Sequence, residues 1–137
     1  MFAFPAGTTV YIIEGDDAVR DSTGVLLELE GLKVESFGAI ADFLTLYRKP
    51  ECGCLIIDQH LPRTTGLEFL ESAEGQRLGI PVILVTAAGD EALRQRAMRD
   101  GVAAYLDKPL QQYTLLRTLA MVLMREPQPA GYIAAIH

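Results

Sequence analysis

Five short apolar runs, each followed by a segment whose apolar residues recur at helical spacing, constrain the fold more than any other feature. The runs are residues 8–13 (TTVYII), 32–36 (LKVES), 54–57 (CLII), 81–85 (PVILV) and 102–106 (VAAYL). Between them Val19, Thr23, Leu26 and Leu27, then Ile40, Phe43, Leu44 and Tyr47, follow the spacing of one buried helix face. A third helix carries Leu67, Phe69 and Leu70, and a fourth carries Leu93, Ala97 and Met98 behind the N-cap signal Gly89-Asp90. A fifth runs from about Leu110 to Met124. Gly31, Pro50, Gly53, Pro62 and Gly101 punctuate the segments.

Strand and helix alternating five times imply a parallel sheet with helices on both faces. Strands covered on both faces read as unbroken apolar runs, and the first, third and fourth runs do so. The second alternates apolar and polar residues and belongs on a rim. That placement fits an α/β, flavodoxin-like (βα)5 three-layer sandwich with strand order 2-1-3-4-5.

The chain has 137 residues, half of them apolar, and a mean hydropathy of +0.20, so one domain with a real core is expected. No run reaches the roughly 18 apolar residues of a membrane helix. The N-terminus has no early Lys or Arg and carries Pro5, a poor secretory signal. A net charge of −6 opposes direct contact with a nucleic-acid backbone. Cys52 and Cys54 are too few and too close for a disulfide framework, and a reducing, cytoplasmic setting is expected. With no further Cys or His pair nearby, Cys54 reads as a small core residue.

In such a sheet, ligands sit beyond the carboxyl ends of the strands. There this chain puts Glu14 with Asp16 and Asp17 after the first strand, Asp58 after the third, Thr86 after the fourth and Lys108 after the fifth. Carboxylates gathered on one rim repel unless a cation joins them, and oxygen-only ligands suit Mg²⁺. A carboxylate, a hydroxyl and an ammonium around a hard cation make a phosphoryl-transfer site.

The segments 13–20 (IEGDDAVR), 55–62 (LIIDQHLP), 66–68 (GLE), 82–90 (VILVTAAGD) and 104–109 (AYLDKP), in this order, resemble the receiver domain of bacterial two-component response regulators. The detail is most similar to the branch often fused to helix-turn-helix output domains. The resemblance covers residues 8–124. It implies that Asp58 is the phosphoacceptor and that Thr86, Ala87 and Lys108 bind the phosphoryl group. It also implies that Asp58, Glu14, Asp16 and the His60 backbone carbonyl serve a Mg²⁺ or Mn²⁺ ion. Thr86 and Tyr105 would be the switch pair, and Pro109 would follow a cis bond. The implied partner is a histidine kinase or phosphotransfer protein. The face of the fourth helix, fifth strand and fifth helix would carry the conformational output and serve for homodimerisation.

One position departs from the pattern. The family usually has two adjacent acids after the first strand, and the second touches the metal; here it is Gly15. Either Glu14 reaches in, or Asp16 or Asp17 substitutes, or metal affinity falls, and weakened binding is the expectation. Gly15 also supports an alternative, a pseudo-receiver acting as a phosphorylation-independent interaction module. An aspartyl-type phosphatase is disfavoured because His60 stands where such enzymes generally need a second acid.

Simpler readings stand beside these. A lone His60 is a solvent-facing loop residue, and Tyr105 alone is partly buried core. The last helix has more apolar residues than one buried face needs, which points to a partner surface. Residues 125–137, with Pro127, Pro129 and Gly131, read as a linker or C-terminal tail.

Overall fold

The computed structural model describes residues 2–124. The linker or tail expected at 125–137 lies outside the described residues. The strands are β1 (Thr9–Ile13), β2 (Lys33–Phe37), β3 (Gly53–Asp58), β4 (Val82–Thr86) and β5 (Ala104–Asp107). The helices are α1 (Asp17–Leu29), α2 (Ile40–Leu46), α3 (Gly66–Glu71), α4 (Ala73–Gln76), α5 (Glu91–Arg99) and α6 (Gln112–Leu123). The strands form one parallel sheet in the order β2-β1-β3-β4-β5, as expected. β1, β3 and β4 are buried along their whole length. β2 is largely open, which is why its sequence alternates.

Successive strand residues face opposite sides, so the sheet divides the core in two. Val10, Ile12, Cys54, Ile56, Ile83 and Val85 pack with Leu27 of α1 and Leu115, Leu116, Leu119 and Val122 of α6. Tyr11, Ile13, Leu55, Ile57 and Leu84 pack on the other face with Phe43, Leu67, Phe69, Leu70 and Ala97. Phe43 is fully buried, with edge-on ring contacts to Tyr11, Phe37 and Phe69. Phe2 and Phe4 also pack against the α1/α6 layer, and the Phe2 ring meets Tyr113 edge-on.

The single third helix read from the sequence is two short helices. Ser72 ends α3 in an extended conformation, and its hydroxyl accepts from Gly75 N at 3.1 Å to start α4. Apolar spacing cannot register a local side-chain bond of that kind. The output helices anticipated as the fourth and fifth are therefore α5 and α6. On α6 and its C-cap the apolar excess is partly exposed: Tyr113, Met121 and the C-cap Met124 face outward.

Candidate functional site at the carboxyl ends of the strands

Parallel register brings the candidate residues level. Ile13 pairs with Ile57, so Glu14 and Asp58 follow side by side on neighbouring strands. Asp58 pairs with Val85, one residue before Thr86, and Thr86 pairs with Asp107, one residue before Lys108. The ladder continues past the strands: Glu14 N donates to Phe37 O at 3.0 Å, Gln59 N to Val85 O at 2.8 Å and Lys108 N to Thr86 O at 2.9 Å.

Lys108 Nζ lies 2.5 Å from Glu14 Oε1 and 3.2 Å from Asp58 Oδ2, joining the two carboxylates. Both acids are buried. Burial alone would pull the Lys108 ammonium down. Its hydrogen bonds to Glu14 and Asp58, with their charges, outweigh that penalty and hold it above the ordinary lysine value. Glu14 Oε2 accepts from Asp16 N at 3.0 Å, and the Glu14 carbonyl accepts from Arg20 Nη1 at 2.8 Å. That Arg20–Glu14 bond ties the acidic turn to α1, and within the helix Arg20 Nη2 also pairs with Asp17 Oδ1 at 2.6 Å.

Asp16 is placed differently from Glu14. Its side chain caps α1, accepting from Val19 N at 3.0 Å. Thr86 is fully buried, and its hydroxyl accepts from Ala88 N at 3.2 Å. Ala87 is exposed beside it. The Lys108–Pro109 peptide is cis. His60 is exposed and pairs with Thr65 in an isolated bridge. Tyr105 is half-buried, and its hydroxyl is shielded from solvent without a hydrogen-bond partner. The ring lies over Gly89, where an added Cβ would fall 1.8 Å from Tyr105 Oη and 2.8 Å from Thr86 Cγ2. Burial first, then the charges of Asp107 and Asp90, push the Tyr105 phenol up.

The residues meet the chemical demand of a hard cation in part. Asp58 Oδ1 is buried and has no hydrogen-bond partner, the atom a divalent ion would satisfy. Glu14 is the neighbouring acid, but both its oxygens are engaged. Gly15 offers no side chain, although a Cβ there would meet only Pro62 Cδ at 3.8 Å. Among the described residues, no group of three or more His, Cys, Asp or Glu side chains is arranged to hold a metal ion.

Gln59 was not singled out from the sequence. It is buried, its Oε1 accepts from Leu67 N at 2.9 Å, and its carbonyl accepts from Gly66 N at 3.0 Å. Gly66 lets the loop close: a Cβ there would sit 2.6 Å from the Asp58 carbonyl oxygen. The available signal was a polar residue directly after a buried strand, which needs a partner once folded.

Among the described residues, two larger grooves border the rim. One, of about 460 Å³, is lined by Val19, Ser22 and Thr23 of α1 with Ala87, Lys108, Pro109 and Leu110. The other, of about 750 Å³, lies between α5, β5 and the start of α6 and includes Arg94, Tyr105 and Lys108. Among the described residues, no helix is long and apolar enough to cross a membrane.

Residues 10–120 match the response regulator receiver domain family. The chain is 33% identical over 124 residues to the transcriptional regulatory protein FixJ of Azorhizobium caulinodans, covering 90% of this chain and 59% of that protein. It is 30% identical over 121 residues to the response regulator protein TodT of Pseudomonas putida, covering 88% and 53%. The solved structure of the response regulator StyR superposes with a TM-score of 0.77 at 34% identity, covering 86% of this chain and 60% of that one. The chain thus spans between half and three-fifths of the length of these relatives. With its strand order and the residues gathered at its rim, the chain belongs to the response regulator receiver domain family, a signalling module of two-component systems.

Proposed function

We propose that the chain accepts a phosphoryl group on Asp58 from a histidine kinase or phosphotransfer protein, in the cytoplasm, and signals through α5, β5 and α6. The observation that carries this reading is the pairing of Lys108 with one oxygen of a buried Asp58 whose other oxygen has no partner. A carboxylate oxygen of Asp58 attacks phosphorus in line. The P–N bond to the donor histidine breaks, the imidazole leaves with the bonding pair, and an acyl phosphate forms. Lys108, Thr86 and Ala87 take up the phosphoryl oxygens, with the Lys108 ammonium held charged by its two acidic neighbours.

Receiver domains generally bind Mg²⁺ at the acidic site. Here Asp58, Glu14 and the His60 carbonyl would hold Mg²⁺ or Mn²⁺, and the ion would supply further neutralisation of charge. Asp16 caps α1 through Oδ1, so it would join through its other carboxylate oxygen. The groove beside Lys108 supports donor docking against α1. Thr86 and Tyr105, both packed at Gly89, are the proposed switch pair. The α5/β5/α6 groove is the proposed homodimer face, and residues 8–124 are the proposed receiver unit.

The test is intact mass after incubation with Mg²⁺ and acetyl phosphate. Wild type gains one phosphoryl group and Asp58→Ala does not. Gly15 favours one other reading, the phosphorylation-independent interaction module. Absence of any mass gain at high Mg²⁺, with phosphodonor helices still bound, would establish that reading instead.

A further inference from the structure

Helix α5 is fastened to the body of the protein by little apolar surface. Ala97 is its one buried residue, with Leu93 and Met98 half-buried, whereas α6 buries Leu115, Leu116, Thr118, Leu119 and Val122. A polar fastening stands in for the missing core contact. Arg96 donates from Nε to Glu71 Oε2 at 2.8 Å and from Nη2 to Glu71 Oε1, two parallel bonds joining α5 to the last residue of α3. Bidentate geometry is the case in which a half-exposed pair carries weight. Arg94 differs: its bonds to Glu91, of 3.0 and 2.6 Å, stay within α5.

We infer that the Glu71–Arg96 pair is a latch that holds α5 against α3 in the resting conformation and sets part of the free-energy gap to the signalling conformation. The inference rests on the reading of α5 as part of the output face. A helix with little buried apolar surface has a small cost of local opening, so one ion pair is a large share of what holds it. Removing the latch raises the population of the displaced state. Any ligand that favours that state then binds more tightly, because less work is left for it to do.

The test uses the full chain, with Arg96→Ala and Glu71→Ala as latch variants and Arg94→Ala as the charge-matched control. Hydrogen exchange is followed at α5 amides, with β1 amides reporting global unfolding. The latch variants should exchange about threefold to fivefold faster across α5 than wild type, with β1 unchanged and Arg94→Ala, which removes a pair internal to the helix, changing α5 exchange by less than about twofold. Beryllofluoride, a phosphoryl analogue, should bind the latch variants about threefold more tightly. The double exchange Glu71→Arg with Arg96→Glu should restore slow exchange. Equal behaviour of Arg96→Ala and Arg94→Ala, or no rescue by the double exchange, overturns the latch. Beryllofluoride failing on every protein, wild type included, overturns the phosphoacceptor reading instead, while α5 exchange still decides the latch.

Discussion

Glu14 and Lys108, 94 residues apart in sequence, meet at 2.5 Å, closer than Lys108 approaches Asp58. The lysine thus serves two roles in one place. It neutralises a pair of buried carboxylates in the resting protein, and it stands where phosphoryl charge would develop.

Replacing Lys108 with Met keeps much of its volume and removes the charge, leaving Glu14 and Asp58 buried side by side. Loss of one partner from a buried ion pair costs about 3 kcal/mol, which urea denaturation would register as a lower midpoint. The raised Lys108 value fixes the pH dependence. Its contribution is complete below the ordinary lysine value of 10.5 and disappears as pH climbs through the higher folded value. Wild type should therefore lose stability in that alkaline window, and Lys108→Met should lack this component. Phosphorylation from acetyl phosphate should be lost in the variant.

Gly15→Asp should be tolerated, since its Cβ would meet only Pro62 Cδ at 3.8 Å. The new carboxylate adds an acid next to Glu14 on the acidic turn, and ligand charge tunes affinity for a hard cation. Mg²⁺ affinity by calorimetry should rise about tenfold, equivalent to about 1.4 kcal/mol. An unchanged affinity would mean that the acidic turn is directed away from the rim.

Gly89→Ala should dislodge Tyr105, because the added Cβ would land 1.8 Å from the phenol oxygen. The ring has to swing outward, and overpacking of this kind costs about 1–3 kcal/mol. Spectrophotometric titration should show one tyrosine returning toward the ordinary value of 10.0, as burial and then proximity to Asp107 and Asp90 are relieved. A Tyr105 phenol that titrates as in wild type would contradict the packing.

Asp100 faces the latch from the C-cap of α5, with Oδ2 buried and lacking a donor. Its carboxyl is held above the usual range by hydrogen bonding to Glu71, then burial, then the Glu71 charge, against the pull of Arg96 and Arg99; Glu68 also faces Arg96. A raised acid contributes stability at low pH and loses it as pH rises through the folded value. Asp100→Asn makes the donor permanent and removes a negative charge from a helix C-terminus. The thermal denaturation midpoint at neutral pH should rise by a few degrees in the variant, and the gain should vanish as pH falls below the raised Asp100 value, where the wild-type carboxyl is itself protonated.

Much of this was legible before folding because it follows from local pattern. Unbroken apolar runs marked β1, β3 and β4 as interior, and the alternation of 32–36 marked β2 as a rim strand. Once strand order is known, parallel register alone carries Glu14, Asp58, Thr86 and Lys108 to one edge. The burial of Cys54 also agrees with its reading as a small core residue.

What only the tertiary structure decided is which polar atoms find each other. Asp16 and Glu14 are near-identical in sequence terms, yet one caps a helix and the other meets a lysine from the far end of the chain. Gln59, Arg20, the seat of Tyr105 on Gly89 and the Glu71–Arg96 bridge carry no periodic signature. A hydrophobic pattern selects the face a residue turns toward, over a run of many residues. A hydrogen bond is settled within tenths of an ångström by the packing of whole elements, and no stretch of chain contains that distance.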